Sequence, residues 1–370
     1  MGYKMKNSLK FAVLGAGHGG YAMAADLTLA GYEVNLFNRS PGPIKAIRKR
    51  GGIEITGEAV HGEGFAKIKK TTTDMKEAIE DVDIIMIVVP AYGHKFMIDQ
   101  SMPYLKDEQI IVFHTGNFAS LRLAKELKKR GKKNLLCETS LLIYSCRITG
   151  PSSVFVDGLK RKLPTAAFPA IKTDEVLKVL RGAYPQLIPA TNVLETSFEN
   201  LNPIFHPQIT LLNAGFTERT KGDYIFYKDG VTPGVGSVIQ AVDDERASVA
   251  NALGIRVTPT TKWLDIMYGA KGKNIYEAIQ DCKPYLDPGE RGPKNFQFRF
   301  VTEDVPYGLV PIASLGDLLK VSTPNIKAVI HLWSTINQVN YFEEGYTVEK
   351  LGLSDLTSKE IIRLVTEGEL

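Results

Sequence analysis

Residues 10–20 read KFAVLGAGHGG, and no other stretch constrains the fold as strongly. Phe11 to Leu14 is a short apolar run, as a parallel strand buried on both faces requires. Gly15, Gly17 and Gly20 follow as G-x-G-x-x-G. Tyr21 to Ala30 then carries a helical pattern ending at Gly31, and Glu33 to Phe37 reads as the next strand. Strand, glycine turn, helix and strand in this order is the context in which the motif binds a dinucleotide. Gly15 permits the tight turn, Gly17 lets a pyrophosphate approach the backbone, and Gly20 lets helix and strand pack closely. The phosphate then sits on the helix N-terminus near His18, where free N–H groups and the helix dipole favour an anion.

The end of the second strand bears on which dinucleotide is bound. NAD sites usually place Asp or Glu there for the ribose 2′-hydroxyl. Here the residues are Asn38, Arg39 and Ser40. Arg39 can pair with a 2′-phosphate through its planar fork, and Ser40 can add a hydrogen bond. NADP is the expected cofactor and NAD the alternative; an exposed loop arginine without a ligand is the bland reading.

The α/β alternation continues. Asp83 to Pro90, Gln109 to Ser120 and Asn134 to Ser140 each contain a strand-like apolar run. Pro90 and the turn Thr115-Gly116-Asn117 fall at carboxyl ends of strands, where ligands bind in open α/β sheets, so Pro90 and Asn117 are candidate cofactor contacts. The segment PSSVFVDGLKRKLPTAAFP alternates like an antiparallel hairpin, and Thr173 to Tyr184 has helix spacing with Thr173 as N-cap. A Rossmann domain of six to eight strands is expected over residues 1–191. Strand signals fade beyond it, and residues 192–370 read as mainly helical, around Asn200–Gly215, Val235–Leu253, Asn274–Cys282 and Asn325–Gly345. Lys283 to Lys294, with three prolines and two glycines, reads as a loop able to cover a cleft.

Composition excludes several classes. At 370 residues, 44% hydrophobic and 23% charged, the chain can bury the cores of two soluble domains. A net charge of +4 and one basic run, Lys125 to Lys133, do not make a nucleic-acid surface; the run reads as a solvated helix end. Three cysteines without metal-ligand spacing point to reduced thiols in a cytoplasmic protein. The polar start MGYKMKNSLK lacks a signal-peptide core, and no window approaches the roughly 18 apolar residues of a membrane span. The trio Asp243-Asp244-Glu245 reads as N-terminal helix charge rather than as a metal site. The C-terminal amphipathic segment can pack on its own domain or on a second copy in a homodimer.

Acid–base candidates lie in the second half. In ENLNPIFHPQITLLNAG, Asn202 and His206 are four apart and share a helix face, which Asn213 can continue. Pro203 and Pro207 each remove a helix hydrogen bond and free a carbonyl for ligand or water. A histidine is a natural proton donor during hydride transfer. In FRFVTEDVPYGLVPIASLG, Glu303-Asp304 precede Val305-Pro306 as at a helix start. If Asp304 reached His206 it would fix the tautomer, and Arg299 could bind a substrate carboxylate. The bland readings are a capped histidine, an N-cap and a surface ion pair. Spacing alone cannot join the two segments. Tyr307 and Trp333 are pocket or core residues.

The sequence resembles the opine dehydrogenase family, which includes the octopine and nopaline dehydrogenases. The resemblance lies in VLGAGHGGYAMAADLTLAGYEVNLFNR, ENLNPIFHPQITLLNAG and FRFVTEDVPYGLVPIASLG, and spans nearly the whole chain. It implies a Rossmann domain followed by a helical domain of the 6-phosphogluconate dehydrogenase C-terminal kind. It also implies reductive condensation of an amino acid with a 2-oxo acid using NAD or NADP. His206 would be acid/base, Asp304 its partner, Arg299 a carboxylate binder and Asn202 a neighbour of the histidine. SLLIYSCRITGP resembles the family's loop closing the nucleotide domain, which makes Arg147 a further carboxylate contact. The alternative is a hydroxy acid or ketopantoate-type reductase. Such enzymes use a lysine near the start of the helical domain, and Glu195 to Asn213 contains none. A dinucleotide-binding protein without turnover is the reading from another class.

Overall fold

The computed structural model describes residues 9–369. Its internal contacts divide the chain into two units, residues 1–196 with 364–370, and residues 197–363.

The described residues of the first unit form twelve strands: β1 Lys10–Leu14, β2 Glu33–Phe37, β3 Ile53–Gly57, β4 Gly64–Ala66, β5 Lys70–Thr72, β6 Ile84–Ile87, β7 Ile110–Phe113, β8 Leu135–Thr139, β9 Tyr144–Gly150, β10 Ser153–Leu159, β11 Leu163–Phe168 and β12 Leu187–Pro189. Eight form the main sheet, in the order β12-β11-β8-β7-β6-β1-β2-β5. β1 lies parallel between β2 and β6, with Leu14 opposite both Phe37 and Ile87. The apolar runs are apolar because both sheet faces are covered. Leu14, Ile87, Phe113 and Leu136 are buried in one cluster with the helix residues Met97, Ile98 and Leu123. This is the expected α/β nucleotide-binding architecture.

Two expectations are corrected here. The segment from Pro151 to Pro169 is not a hairpin, because its two strands enter different sheets. β11 pairs antiparallel with β8 in the main sheet. β10 joins a second sheet of order β4-β3-β10-β9, antiparallel to β9 and parallel to β3. The alternating pattern reported one buried face per strand but carried no information on the partner. Thr173 is not an N-cap; it is the first residue of the helix Thr173–Leu180, and its hydroxyl accepts from the Ala167 amide at 3.1 Å. The small sheet is tied to the helix His18–Leu29 through a buried carboxyl. Asp26 accepts from the Tyr144 hydroxyl at 2.7 Å and from the His61 amide at 2.8 Å. Burial pushes Asp26 above the usual carboxylate range, against those hydrogen bonds. The basic run closes the helix Ala119–Lys129, with Lys128 and Lys129 in its last turn.

The described part of the second unit is helical, and it includes the twenty-residue helix Pro233–Ala252. Thr232 caps it by accepting from the Val235 amide. The acidic trio lies inside this helix rather than at its start, and two of its members are buried beside partners. Asp243 pairs with Arg246 and accepts from the Thr260 amide. Glu245 accepts from the Asn325 and Ile326 amides, both at 2.9 Å, and so caps the helix Pro324–Asn337. Trp333 is core, donating from its indole to the Pro207 carbonyl at 3.1 Å. Tyr307 packs edge-on against Tyr346. The segment Lys283–Lys294 is pinned: Tyr285 stacks on Tyr227, the Glu290 carbonyl accepts from the Phe226 amide, and the Gly292 amide donates to the Tyr224 carbonyl. No helix among the described residues is long and apolar enough to cross a membrane. Cys137, Cys146 and Cys282 are thiols, and burial pushes Cys146 up to about 12.

Candidate active site

In the first unit the turn after β1 has the shape a pyrophosphate needs. Gly15 has φ +116°, and a Cβ there would meet the Val88 carbonyl oxygen at 2.4 Å. A Cβ at Gly20 would lie 1.8 Å from the Gly15 carbonyl, so the helix enters the turn at a distance only glycine allows. Nothing lies within 4 Å of a Cβ at Gly17, which leaves room in front of the helix N-terminus. The turn therefore fits the group its sequence implies. His18 begins the helix, and its Nδ1 accepts from the Ile148 amide at 2.7 Å. That bond places the ring proton on Nε2.

Asn38 braces this turn: its Oδ1 accepts from the Ala16 amide at 3.1 Å, and its Nδ2 donates to the Ser40 carbonyl at 2.9 Å. Arg39 is exposed, its guanidinium 5.4 Å from the Phe96 ring centroid. Pro90 immediately precedes the helix Ala91–Ser101 and makes no side-chain cap, and Asn117 is buried with φ 49° just beyond β7. Arg147 lies on β9 and is ion-paired with Asp157 of β10.

In the second unit the helix Asn202–Leu212 carries Asn202 and His206 on one face. Pro207 sits inside this helix, and the carbonyl it cannot serve belongs to Pro203. That carbonyl is not open to a ligand, because the Gln208 side-chain amide donates to it at 3.1 Å. Asn213 is likewise engaged, donating to the carbonyls of Ile209 and Gly230, each at 2.8 Å.

Asp304 follows the short helix Arg299–Thr302 and precedes a π-helical turn, Val305–Leu309. The wide turn is backed directly onto the histidine helix: a Cβ at Gly308 would lie 2.2 Å from the Pro203 ring. Asp304 makes no capping bond. Its carboxylate meets His206 Nδ1 at 2.7 Å, with the histidine 4% and the aspartate 1% exposed. The two segments that spacing could not join are thus in contact. Phe300 stacks on the imidazole at 3.9 Å between centroids, and the Tyr227 hydroxyl lies 2.9 Å from Nε2. Neither aromatic residue carried a sequence signal. Tyr227 lies 21 residues from His206, on the separate helix Phe226–Gly230. Arg299 is 45% exposed, with its guanidinium 3.5 Å from the Glu303 carboxylate.

Burial sets the electrostatics. It drives His206 well below its ordinary value; the Arg299 charge adds to this and Glu303 opposes it. Burial also pushes Asp304 up to about 7, against the pull of Arg299. A low-dielectric site resists charge on either member, so the pair holds and releases a proton as a unit. Among the described residues, no group of three or more His, Cys, Asp or Glu is placed to hold a metal ion.

A dinucleotide turn in one unit and a buried His–Asp pair in a helical second unit are the features of two-domain nicotinamide-dependent oxidoreductases. Residues 189–337 match the family described as NAD/NADP octopine/nopaline dehydrogenase, alpha-helical domain, and residues 11–158 match ketopantoate reductase PanE/ApbA. The opine dehydrogenase of Arthrobacter sp. (strain 1C) is 37% identical over 96% of this chain and 99% of its own length. The chain belongs to the opine dehydrogenase family. The structure of octopine dehydrogenase with NADH and L-arginine has a TM-score of 0.78 at 20% identity, covering 97% of this chain and 98% of that one. Yersinopine dehydrogenase with NADP+ bound has a TM-score of 0.71 at 16% identity, covering 98% and 99%.

Proposed function

We propose that this protein catalyses the NADPH-dependent reductive condensation of an amino acid with a 2-oxo acid, and the reverse oxidation. The observation that carries the reading is the buried His206–Asp304 contact at 2.7 Å. A histidine held this way has one tautomer and one ring nitrogen left for proton exchange. NADPH, when bound, supplies the hydride. His206 delivers the proton that the substrate takes up, and Asp304 steadies the imidazole as its charge changes. Arg299 presents an exposed planar fork suited to a substrate carboxylate. Asn202, one helical turn before His206, orients the substrate beside it. Arg147 is a further candidate for a carboxylate. Positioning two reactants in this way lowers the barrier by removing the entropy of their encounter.

The test is consumption of NADPH with pyruvate and an equimolar mixture of the standard amino acids, each component being omitted in turn. Consumption requiring both the oxo acid and the amine supports the reading. Consumption with the oxo acid alone would replace it with a hydroxy acid reductase, and tight NADPH binding without consumption in any mixture would favour a binding protein.

The cofactor preference rests on Arg39. Its side chain lies beside the braced Asn38 and over Phe96, in a segment without a carboxylate for a ribose hydroxyl. A charge-assisted contact contributes about 1.5–3 kcal/mol. Arg39→Ala is therefore expected to raise the KM for NADPH roughly 10- to 100-fold and leave that for NADH within about twofold. Steady-state kinetics with both cofactors check this, and equal changes for the two would remove Arg39 from the phosphate site.

A further inference from the structure

The neighbours of the His206 ring leave its proton one route. Nδ1 is held by Asp304 at 2.7 Å, Phe300 stacks on the ring at 3.9 Å, and Nε2 faces the Tyr227 hydroxyl at 2.9 Å. With Nδ1 donating to the carboxylate, Nε2 accepts from this hydroxyl; once Nε2 is protonated, it donates to it. A substrate atom cannot reach Nε2 unless the hydroxyl moves away. The packing of the tyrosine opposes that movement. Its ring lies flat on Tyr285 at 3.9 Å and 10°, with Phe226 edge-on at 5.0 Å and Phe205 edge-on at 6.2 Å. Asp304, His206 and Tyr227 are all buried. The polar chain runs from the carboxylate through the imidazole and ends on a phenol.

We propose that Tyr227 is a catalytic residue, the group through which His206 exchanges its proton with the substrate. The inference rests on the proposed reaction and on His206 as its acid/base. In the reductive direction the imine carbon receives hydride from the reduced nicotinamide, while the imine nitrogen takes the proton from the Tyr227 hydroxyl. The Nε2–H bond of His206 breaks toward the phenol oxygen in the same step. Tyr227 ends neutral as it began, the imidazole ends neutral, and the product is a secondary amine. Burial holds the phenol well above its ordinary value, so it passes a proton in concert and does not persist as a phenolate.

The test uses the full chain with NADPH, pyruvate and the amino acid mixture, comparing wild type, Tyr227→Phe and His206→Ala. Tyr227→Phe keeps the ring and its stacking. It is expected to lower kcat about 100-fold, with KM for pyruvate within about threefold. The solvent isotope effect distinguishes a relay from a structural role. Two protons in flight give a curved dependence of rate on deuterium fraction in wild type, and the phenylalanine variant gives a straight line. Wild-type kcat in Tyr227→Phe, or an unchanged curved dependence, overturns the relay; a raised kcat/KM overturns it too and makes the hydroxyl an obstacle that substrate displaces. If the variant fails to fold, a fluorotyrosine at position 227 decides: the relay predicts an altered kcat, and an unchanged kcat rejects it. Loss of activity in His206→Ala without loss in Tyr227→Phe rejects only the relay. Full activity in His206→Ala rejects the reading of the site on which the relay depends.

Discussion

His206→Ala is expected to lower kcat by about 10²–10⁴-fold, the range general acid–base catalysis supplies, with NADPH affinity unchanged. The retained affinity follows because the dinucleotide turn is formed by a separate stretch of the chain, around Gly15 to Gly20. The sign of the pH dependence follows from the pair. Burial lifts Asp304 to about 7 and depresses His206, so the pair takes up its shared proton near neutrality. Reduction consumes a proton and needs the loaded pair. Its kcat/KM is expected to be level below about pH 7 and to fall tenfold per unit above it. Oxidation needs the empty pair and is expected to rise through the same region and level off above it. Profiles measured in both directions check this. Parallel profiles, or a reductive limb rising with pH, would exclude the pair as the proton source. Asp304→Asn keeps the shape but loses the carboxylate that fixes the tautomer. Its reductive profile is expected to lose the inflection near 7.

Arg246→Ala is expected to cost the second unit about 3–5 kcal/mol, because it leaves a buried charge without its partner. Arg246 has no exposed surface. It donates to the Asp243 carboxylate at 2.8 Å, the Phe198 carbonyl at 2.6 Å and the Thr258 carbonyl at 2.9 Å. Removing it takes a charged donor from all three acceptors, two of them in buried contacts. For a unit of this size the loss corresponds to a melting temperature lower by on the order of 10 °C. Thermal unfolding of the full chain, followed by calorimetry, checks it. The double change Asp243→Leu with Arg246→Met is expected to recover part of the loss, since no unpaired charge remains. Recovery stays partial because the donor that Arg246 gave the Phe198 and Thr258 carbonyls is not replaced, and the Thr260 amide loses the Asp243 carboxylate. A single variant that melts with wild type would mean that water reaches the guanidinium cavity.

What the sequence made legible followed from local physics. β1, the glycine turn, the helix after it and β2 are one continuous stretch, and each residue there reports its own environment. Parallel strands such as Ile84–Ile87 stand out because burial on both faces leaves no polar position. The small sheet was illegible for the converse reason. β4 is only three residues long, and the alternation in β3 and β10 indicates a buried face without naming the strand beside it. The same limit governs the site. Asn202 and His206 share a helix and were readable from spacing, whereas their relation to Asp304 came from family resemblance. Tyr227 and Phe300 belong to elements whose approach to His206 is set by packing, and no interval in the sequence encodes it. Gln208 was legible only in part: the prolines announced a broken hydrogen bond, but not that the next residue but four would fill it.

The parallel pairing of β3 with β10 has a consequence for the order of folding. Ile55 lies opposite Val154, so β3 must wait for a strand made long after it. Its neighbour β4 pairs with it antiparallel over three residues only. Two short strands alone are marginal in water, and closing a long loop carries an entropic cost before any contact repays it. The main sheet has a local closure to begin from, β1 with β2 across a single helix, before the longer closure of β1 with β6. The four-stranded sheet is therefore expected to close only after β9 and β10 have been made. Until β9 and β10 arrive, the face of the helix His18–Leu29 that they cover stays open to other chains. Aggregation during synthesis would begin there, on the helix that follows the dinucleotide turn.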